Sequence, residues 1–531
     1  MLRSEEVVLL MKTNAGRENP KNNASTFSPL SLGGTAIALL LAVVLGMLIP
    51  FMMSRLSVVD ATKVESIFET LGPAFWVLIA AVVSMAVIIA LRQDELAVAI
   101  VIAVHLYIDW YLRLSFVAEF LALVLLLIYF LARSPRSPWA QPRALWLWGL
   151  FLALAIPPAI NGALTSRDAL DYYPNIVIGA FIMFWLGTAI ARHPASVRLI
   201  FKLLSVFAAL IAVHTFIQAA TGVTVFGSAQ ANAYIASISN YRLAPGIDVY
   251  RLGSFFIDPN WDGTFLAMML FLPLGLFVES SRVLEKVLYL AEALIMLLAI
   301  LYTYSAGAWV AACAGLIAFI IFAGRSGHRV QFIVLISVAL IMLIAWFPEQ
   351  VALQLQHAVA SNALPSRIGA WQTALRVIYA YPLTGVGLGH LAYLEHAEPY
   401  RVPLQQVPLD HPHNSYLEWG AMAGLPVLLV FLALLSFASW QAVRNWAQAD
   451  VRARSLLGGG IAAIIALSIN SWSINGWTLP PIAAAGWLIL GVISSPLLAK
   501  SRNNGTAQER NSTGIESSLS ESERGSHVYK K

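Results

Sequence analysis

The residues best suited to chemistry are Arg367 and His413. They lie in the longest interruption of an otherwise apolar chain, from Ser361 to Gly420. Arg367 follows Pro365-Ser366, and Ile368, Trp371, Leu375 and Ile378 recur at helical spacing before Pro382. With Ser366 as N-cap, Arg367 falls in the first turn of a short helix, which the apolar positions would lay on a membrane surface or on other helices. A cation there opposes the helix dipole. Its placement makes sense if an anion shares the site, held by the guanidinium fork and the free backbone N–H groups. The plainer reading is an arginine that solvates an outer loop. His413 precedes Ser415-Tyr-Leu-Glu418, the pattern of a capping box, so the next helix is expected to start at Ser415. Beside that N-terminus the dipole disfavours imidazolium, and a neutral ring suits general-base work. Two other readings of His413 stand. One is a surface hydrogen-bonding group. The other is a zinc ligand with His411, Asp410, His396 or Glu398, for which no HExxH-like or cysteine spacing exists. No metal and no cofactor is expected.

A second group lies upstream, in Arg251-Leu-Gly-Ser-Phe-Phe-Ile-Asp-Pro-Asn-Trp-Asp-Gly263. Asp258, Asn260 and Asp262 imitate the start of a calcium loop, but Met269 stands where the bidentate glutamate belongs, and calcium is rejected. Arg251 and Arg367 come from separate loops, and two arginines converging at one membrane face suit a diphosphate. Gly385, Gly387 and Gly389 lack the lysine and the strand–helix context of a nucleotide loop, so they read as tight turns and close backbone packing. Glu119 and Glu292 fall inside apolar runs, where ionisable residues are functional candidates; neither has an evident partner.

These residues must be positioned by membrane helices. The chain is 59% hydrophobic and 11% charged, with mean hydropathy +0.73. Soluble domains carry about 25% charged residues, so a water-soluble protein is excluded. The single cysteine, Cys313, excludes disulfides and cysteine-based metal sites. Apolar runs long enough to cross a bilayer occur near 30–53, 72–91, 95–112, 114–132, 143–164, 174–192, 199–220, 262–279, 286–304, 306–323, 331–347, 415–440, 455–473 and 478–498. The expectation is therefore an all-α, polytopic membrane protein with about 14 transmembrane helices (12–14).

With the N-terminus inside, most of the 33 basic residues fall on the cytoplasmic side. The outer segments carry Arg55, Lys63, Arg113, Arg167, Arg242, Arg251, Arg367, Arg376 and Arg401. That asymmetry follows the positive-inside rule and supports an even count with both termini cytoplasmic. The expected organisation is a cytoplasmic tail over 1–29, a membrane domain over 30–499, and a disordered cytoplasmic tail over 500–531. The long outer loops are 221–261 and 348–414, so the work of the protein is expected on the outer face.

In these blocks the chain resembles the O-antigen ligase and polymerase family, bacterial membrane glycosyltransferases. Arg251-Leu-Gly-Ser-Phe with Asp258-Pro-Asn260 is similar to the family's block before a membrane helix. Arg367 with Trp371, then Pro382 to Gly389, resembles its large periplasmic loop, and His413-Asn414-Ser-Tyr-Leu with Gly424-Leu-Pro resembles that loop's end. The likeness covers about 200–435. Ala306 and Met422 depart from the family pattern, and the spans exceed the usual twelve. The resemblance implies transfer of a glycan from undecaprenyl diphosphate to an acceptor hydroxyl on the periplasmic face of the inner membrane. The acceptor would be lipid-linked or glycan-linked, as in lipopolysaccharide or exopolysaccharide assembly, and neither metal nor nucleic acid would take part. His413 would be the base, and Arg367 and Arg251 would hold the diphosphate. Asn260, Trp371, His411 and Asn414 would contact substrate. The alternative from a different class is a secondary transporter for a small anion. Transporters gather polar groups at mid-membrane in related halves; here they lie in outer loops and no internal repeat is seen.

Overall fold

The computed structural model describes Val101 and residues 145–166, 172–192, 194–221, 242–244, 247–256, 258–322, 344–360, 363–496 and 498. The expected tails at 1–29 and 500–531, Glu119, and the expected spans at 30–53, 72–91, 114–132 and most of 331–347 lie outside the described residues, as does all of 95–112 except Val101.

The described chain is overwhelmingly helical. Its elements run α1 (Leu145–Leu154), α2 (Ile156–Thr165), α3 (Gly179–Ile190, entered through a π-helical turn at Tyr173–Ile178) and α4 (Pro194–Thr221). A hairpin of β1 (Arg242–Ala244) and β2 (Ile247–Tyr250) follows, pairing Arg242 with Tyr250 and Ala244 with Ile247. Then come α5 (Pro259–Met269), α6 (Phe271–Glu279), α7 (Val283–Thr303), α8 (Ala306–Phe322) and α9 (Pro348–Ala360). Next are α10 (Ala363–Ala380), α11 (His390–Ala397), α12 (Ser415–Ala423), α13 (Leu425–Gln448), α14 (Val451–Asn470) and α15 (Pro480–Ser494).

Among the described residues six helical stretches are long and apolar enough to cross a membrane: Leu145–Thr165, Tyr173–Ile190, Pro194–Ala220, Pro259–Glu279, Leu425–Gln448 and Val451–Asn470. They fall on the expected spans 143–164, 174–192, 199–220, 262–279 and 455–473, and on part of 415–440. The last expectation needs correction. The apolar run from Ser415 is two helices, because Gly424 takes φ +85° and ends α12 before the long helix α13 starts at Leu425, with Pro426 in its first turn.

Small residues let the membrane helices approach closely, as they do where lipid removes the hydrophobic drive between helices. A Cβ on Gly187 of α3 would lie 2.4 Å from the Leu488 carbonyl of α15, and one on Gly491 would lie 2.2 Å from the Phe184 carbonyl. Rings seal the other side of α15. Trp148 (edge-on) and Trp477 (tilted) each meet Trp487 at 5.0 Å, and Phe431 and Phe151 bring Trp419 of α12 into the same cluster. Edge-to-face and tilted ring contacts contribute about 0.5–1.5 kcal/mol each and here fix α12 to α1, α13 and α15. Arg198 bridges Glu279 at 3.0 Å and Glu285 at 2.6 Å, tying α4 to the α6–α7 connection. Glu292, which had no partner in the sequence reading, accepts a hydrogen bond from Ser205.

Candidate functional site

Arg367 sits on α10, but the helix begins at Ala363, not at Ser366. Pro365 and Ser366 belong to its first turn, so Arg367 lies in the second and the open N–H groups of a helix end are not beside it. The apolar stripe also divides. Ala370, Thr373, Ala374, Val377 and Ile378 are buried, with Ile378 lying against Gly420 of α12, whereas Ile368 and Leu375 are exposed. Arg367 and, one turn on, Trp371 flank the buried face; both are half-buried. Among the described residues the Arg367 guanidinium has no hydrogen-bond or salt-bridge partner. Its surroundings are dry enough that burial lowers its pKa, opposed by the negative charge of nearby Asp258.

Asp258 belongs to the upstream block. Its carboxylate caps α5 by accepting from the Asn260 N–H at 2.7 Å. Asn260 in turn accepts from Nη2 of Arg251 at 2.6 Å, while Arg251 Nε donates to the Thr303 carbonyl at 3.0 Å. Arg251 and Asn260 are therefore one unit at the mouth of α5, and Asp258 links that unit to Arg367. Asp262 does not join them. It is fully buried and accepts from Thr215 at 3.2 Å.

His413 stands just before α12 with φ +50°, a left-handed backbone that is rare outside glycine and often marks a functional turn. The cap of α12 is not Ser415 but Asn414, whose Oδ1 accepts from the Tyr416 and Leu417 N–H groups at 3.0 and 3.1 Å. Asn414 is 1% exposed, and its oxygen is committed to the helix. Ser415 instead anchors the loop after α14: its N–H donates to the Ser471 carbonyl, and its hydroxyl accepts from the Trp477 N–H at 3.0 Å. Glu418 does not return to the helix start as a capping box requires. It points sideways and is buried, accepting from Tyr172 at 2.6 Å and Thr478 at 2.8 Å.

A file of imidazoles runs between these groups. Asp410 Oδ1 lies 2.7 Å from His411 Nδ1, and His411 Nε2 lies 3.0 Å from His413 Nδ1. His390 stacks on His411 at 5.1 Å and reaches Glu418 with Nε2 at 3.3 Å. Burial raises the Asp410 pKa, but the His411 hydrogen bond and the neighbouring imidazoles outweigh it and hold the carboxylate well below its ordinary range. Burial, His411 and Arg367 keep His413 well below the ordinary histidine value, against the pull of Asp410. The ring is thus neutral near pH 7, and its Nε2 has no partner among the described residues. Ligand atoms of His390, Asp410 and His411 also lie within 4.8 Å of one another, a spacing that could hold a metal ion. Both nitrogens of His411 are already engaged, one by Asp410 and one by His413. His396 and Glu398, offered as alternative ligands from sequence, are elsewhere, bound to the Ala392 carbonyl and to Arg401.

The glycine segment sets the two halves in register, by the close packing expected of it. Gly385 takes φ +62°, and a Cβ there would lie 2.4 Å from the backbone of Met422. Val386 and Gly387 donate to the carbonyls of Ala421 and Met422 at 2.9 Å, and Leu388 donates to that of Pro158. The end of α10 is thereby pinned to the end of α12. His390 and Tyr172 escaped the sequence reading, which gave Glu418 a capping role only. The Asp410-His-Pro-His413 run was a signal for the file, but nothing local pairs residue 390 with 418.

Residues 291–432 match the family model described as O-antigen ligase, which supports assignment of the chain to that family. The match takes in Arg367, Trp371, His390 and the whole Asp410–Asn414 run, and leaves Arg251 and Asn260 outside it. No curated protein matches the chain.

Proposed function

We propose a specific reaction for this chain, assigned through its matched domain to the O-antigen ligase family. That family makes it, in general terms, an O-antigen ligase- or polymerase-type membrane glycosyltransferase. In our reading the donor is a glycan on undecaprenyl diphosphate, and the reaction takes place at the periplasmic face of the inner membrane, with both termini cytoplasmic. The acceptor hydroxyl, on a lipid-linked or glycan-linked sugar, attacks the anomeric carbon of the donor. His413 Nε2 takes the hydroxyl proton. The bond from that carbon to the diphosphate oxygen breaks, and its electron pair leaves with undecaprenyl diphosphate. Arg367 and Arg251 hold the diphosphate and offset the charge that develops on it, Trp371 and Asn260 line the site, and His411, engaged at both nitrogens, backs His413. The chemistry needs preorganised positive charge where the leaving group departs.

The observation that carries this reading is the pairing of Arg367 with His413. A guanidinium with no partner among the described residues lies close enough to His413 for its charge to oppose protonation of that ring, which burial and His411 also keep neutral. A cation that no described residue binds is available to an anionic ligand, and a neutral imidazole whose Nε2 no described residue binds is available to a proton.

The test uses the purified protein in lipid with an undecaprenyl-diphosphate-linked oligosaccharide. Transfer is measured for the wild type, His413→Ala and Arg367→Ala, with and without a chelator. Transfer that resists the chelator and is lost in both folded variants supports the reading. Transfer that survives His413→Ala, or that a chelator abolishes, overturns it.

A further inference from the structure

We infer that Asp410 and His411 are positioning residues that fix the tautomer of His413, so that its Nε2 is the atom free to accept a proton. This rests on the reading of His413 as the base.

The argument is one of donors and acceptors along the file. An ionised carboxylate can only accept, so the 2.7 Å contact with Asp410 requires the proton on His411 Nδ1. In a neutral imidazole the other nitrogen then accepts, which makes His411 Nε2 an acceptor. The 3.0 Å contact between that atom and His413 Nδ1 consequently needs the proton on His413 Nδ1. The lone pair of His413 is left on Nε2, the nitrogen with no partner among the described residues. Without the file, an imidazole in water favours the opposite tautomer, with its proton on Nε2 where the acceptor hydroxyl must deliver one.

The surroundings hold the file in this order. His390 covers one face of His411 and brings Nδ1 to 3.9 Å from Asp410 Oδ2. Its Nε2 faces Glu418, which Tyr172 and Thr478 fix in the core. The left-handed backbone at His413 turns the ring back onto His411, two residues earlier; an extended backbone there would carry it away. During transfer the acceptor proton moves to Nε2 and the ring becomes imidazolium. The negative charge of Asp410, reaching it through His411, then offsets the repulsion from Arg367. The same chain of contacts orients the base before the reaction and stabilises its charge during it, as a carboxylate does behind a catalytic histidine.

The experiment is run on the full chain in lipid nanodiscs. With 15N-labelled histidine, the His413 signals are identified by their loss in His413→Gln. The wild type is expected to carry its proton on Nδ1 of His413. His411→Phe keeps a ring against His390 but removes both nitrogens, and is expected to move that proton to Nε2. In the transfer assay His411→Phe and Asp410→Ala are expected to lower kcat at least about tenfold with KM for the lipid-linked donor little changed. The ceiling is the roughly 10²- to 10⁴-fold that a general base supplies. Asp410→Glu is expected to recover part of the loss, which a merely structural role for the loop would not produce. A wild-type proton on Nε2, or unchanged kcat in folded His411→Phe, overturns the inference. Unchanged transfer in His413→Ala overturns the base itself, so the two failures are distinguishable.

Discussion

If Arg367 serves the ligand and not the fold, its removal separates activity from stability. The guanidinium makes no hydrogen bond or salt bridge to any described residue, and burial already disfavours its charge. Arg367→Ala therefore breaks no bond to a described residue. Its cost to folding is that of trimming a half-buried stem, about 0.5–1 kcal/mol. The loss in the transition state is larger. A fork on a diphosphate makes two charge-assisted hydrogen bonds, each contributing about 1.5–3 kcal/mol. Losing both raises the barrier by about 3–6 kcal/mol, or roughly 10²- to 10⁴-fold in rate at 1.36 kcal/mol per decade. Arg367→Lys keeps the charge but not the fork, and should fall between wild type and alanine. The assay pairs initial rates of glycan transfer in nanodiscs with thermal unfolding of the same preparations. The reasoning is refuted if Arg367→Ala transfers within tenfold of wild type, or if it unfolds so much more readily that the lost activity follows the lost fold.

Further outcomes follow from the same geometry. The acid limb of kcat/KM should lie below pH 6.5, because burial, His411 and Arg367 all oppose protonation of His413. Arg367→Ala removes one of those influences and should move the limb to higher pH, whereas a wild-type limb at or above 6.5 would contradict the assignment. Glu418→Ala removes the buried carboxylate that accepts from Tyr172 and Thr478 and should destabilise the protein by about 1.5–3 kcal/mol in thermal or denaturant unfolding. Asn414→Ala removes two capping contacts and should cost about 1 kcal/mol by the same measurement. Gly385→Ala needs a left-handed alanine whose Cβ meets the Met422 backbone, so it should cost at least the about 1–2 kcal/mol of that conformation alone.

Much of this was legible in the residues themselves. Hydropathy located the described membrane helices because burial in lipid demands long apolar runs. Helical spacing after Arg367 marked α10, and Gly385, Gly387 and Gly389 announced a turn that no side chain could fill. The errors arose where two local solutions compete. Asn414 and Ser415 are both good caps, and the contest was decided by Ser471 and Trp477, which claim the backbone and hydroxyl of Ser415. Glu418 was assigned to a capping box by spacing, yet its partners are Tyr172, His390 and Thr478, from three distant parts of the chain. The stripe on α10 misled because a helix lying between bulk and protein buries one narrow edge, here Ala370, Ala374 and Val377, and residues four apart need not share it.

The latch at Val386 and Gly387 is made of main-chain amides and carbonyls, so the bonds it forms are indifferent to which side chains flank it. A mortise of this kind holds His413, just before α12, and Arg367, on α10, at a fixed separation while exposed residues such as Leu383, Leu391 and Val407 are free to be exchanged. In the proposed reaction, recognition of different sugars can then be remodelled at such exposed positions without disturbing the spacing between His413 and Arg367.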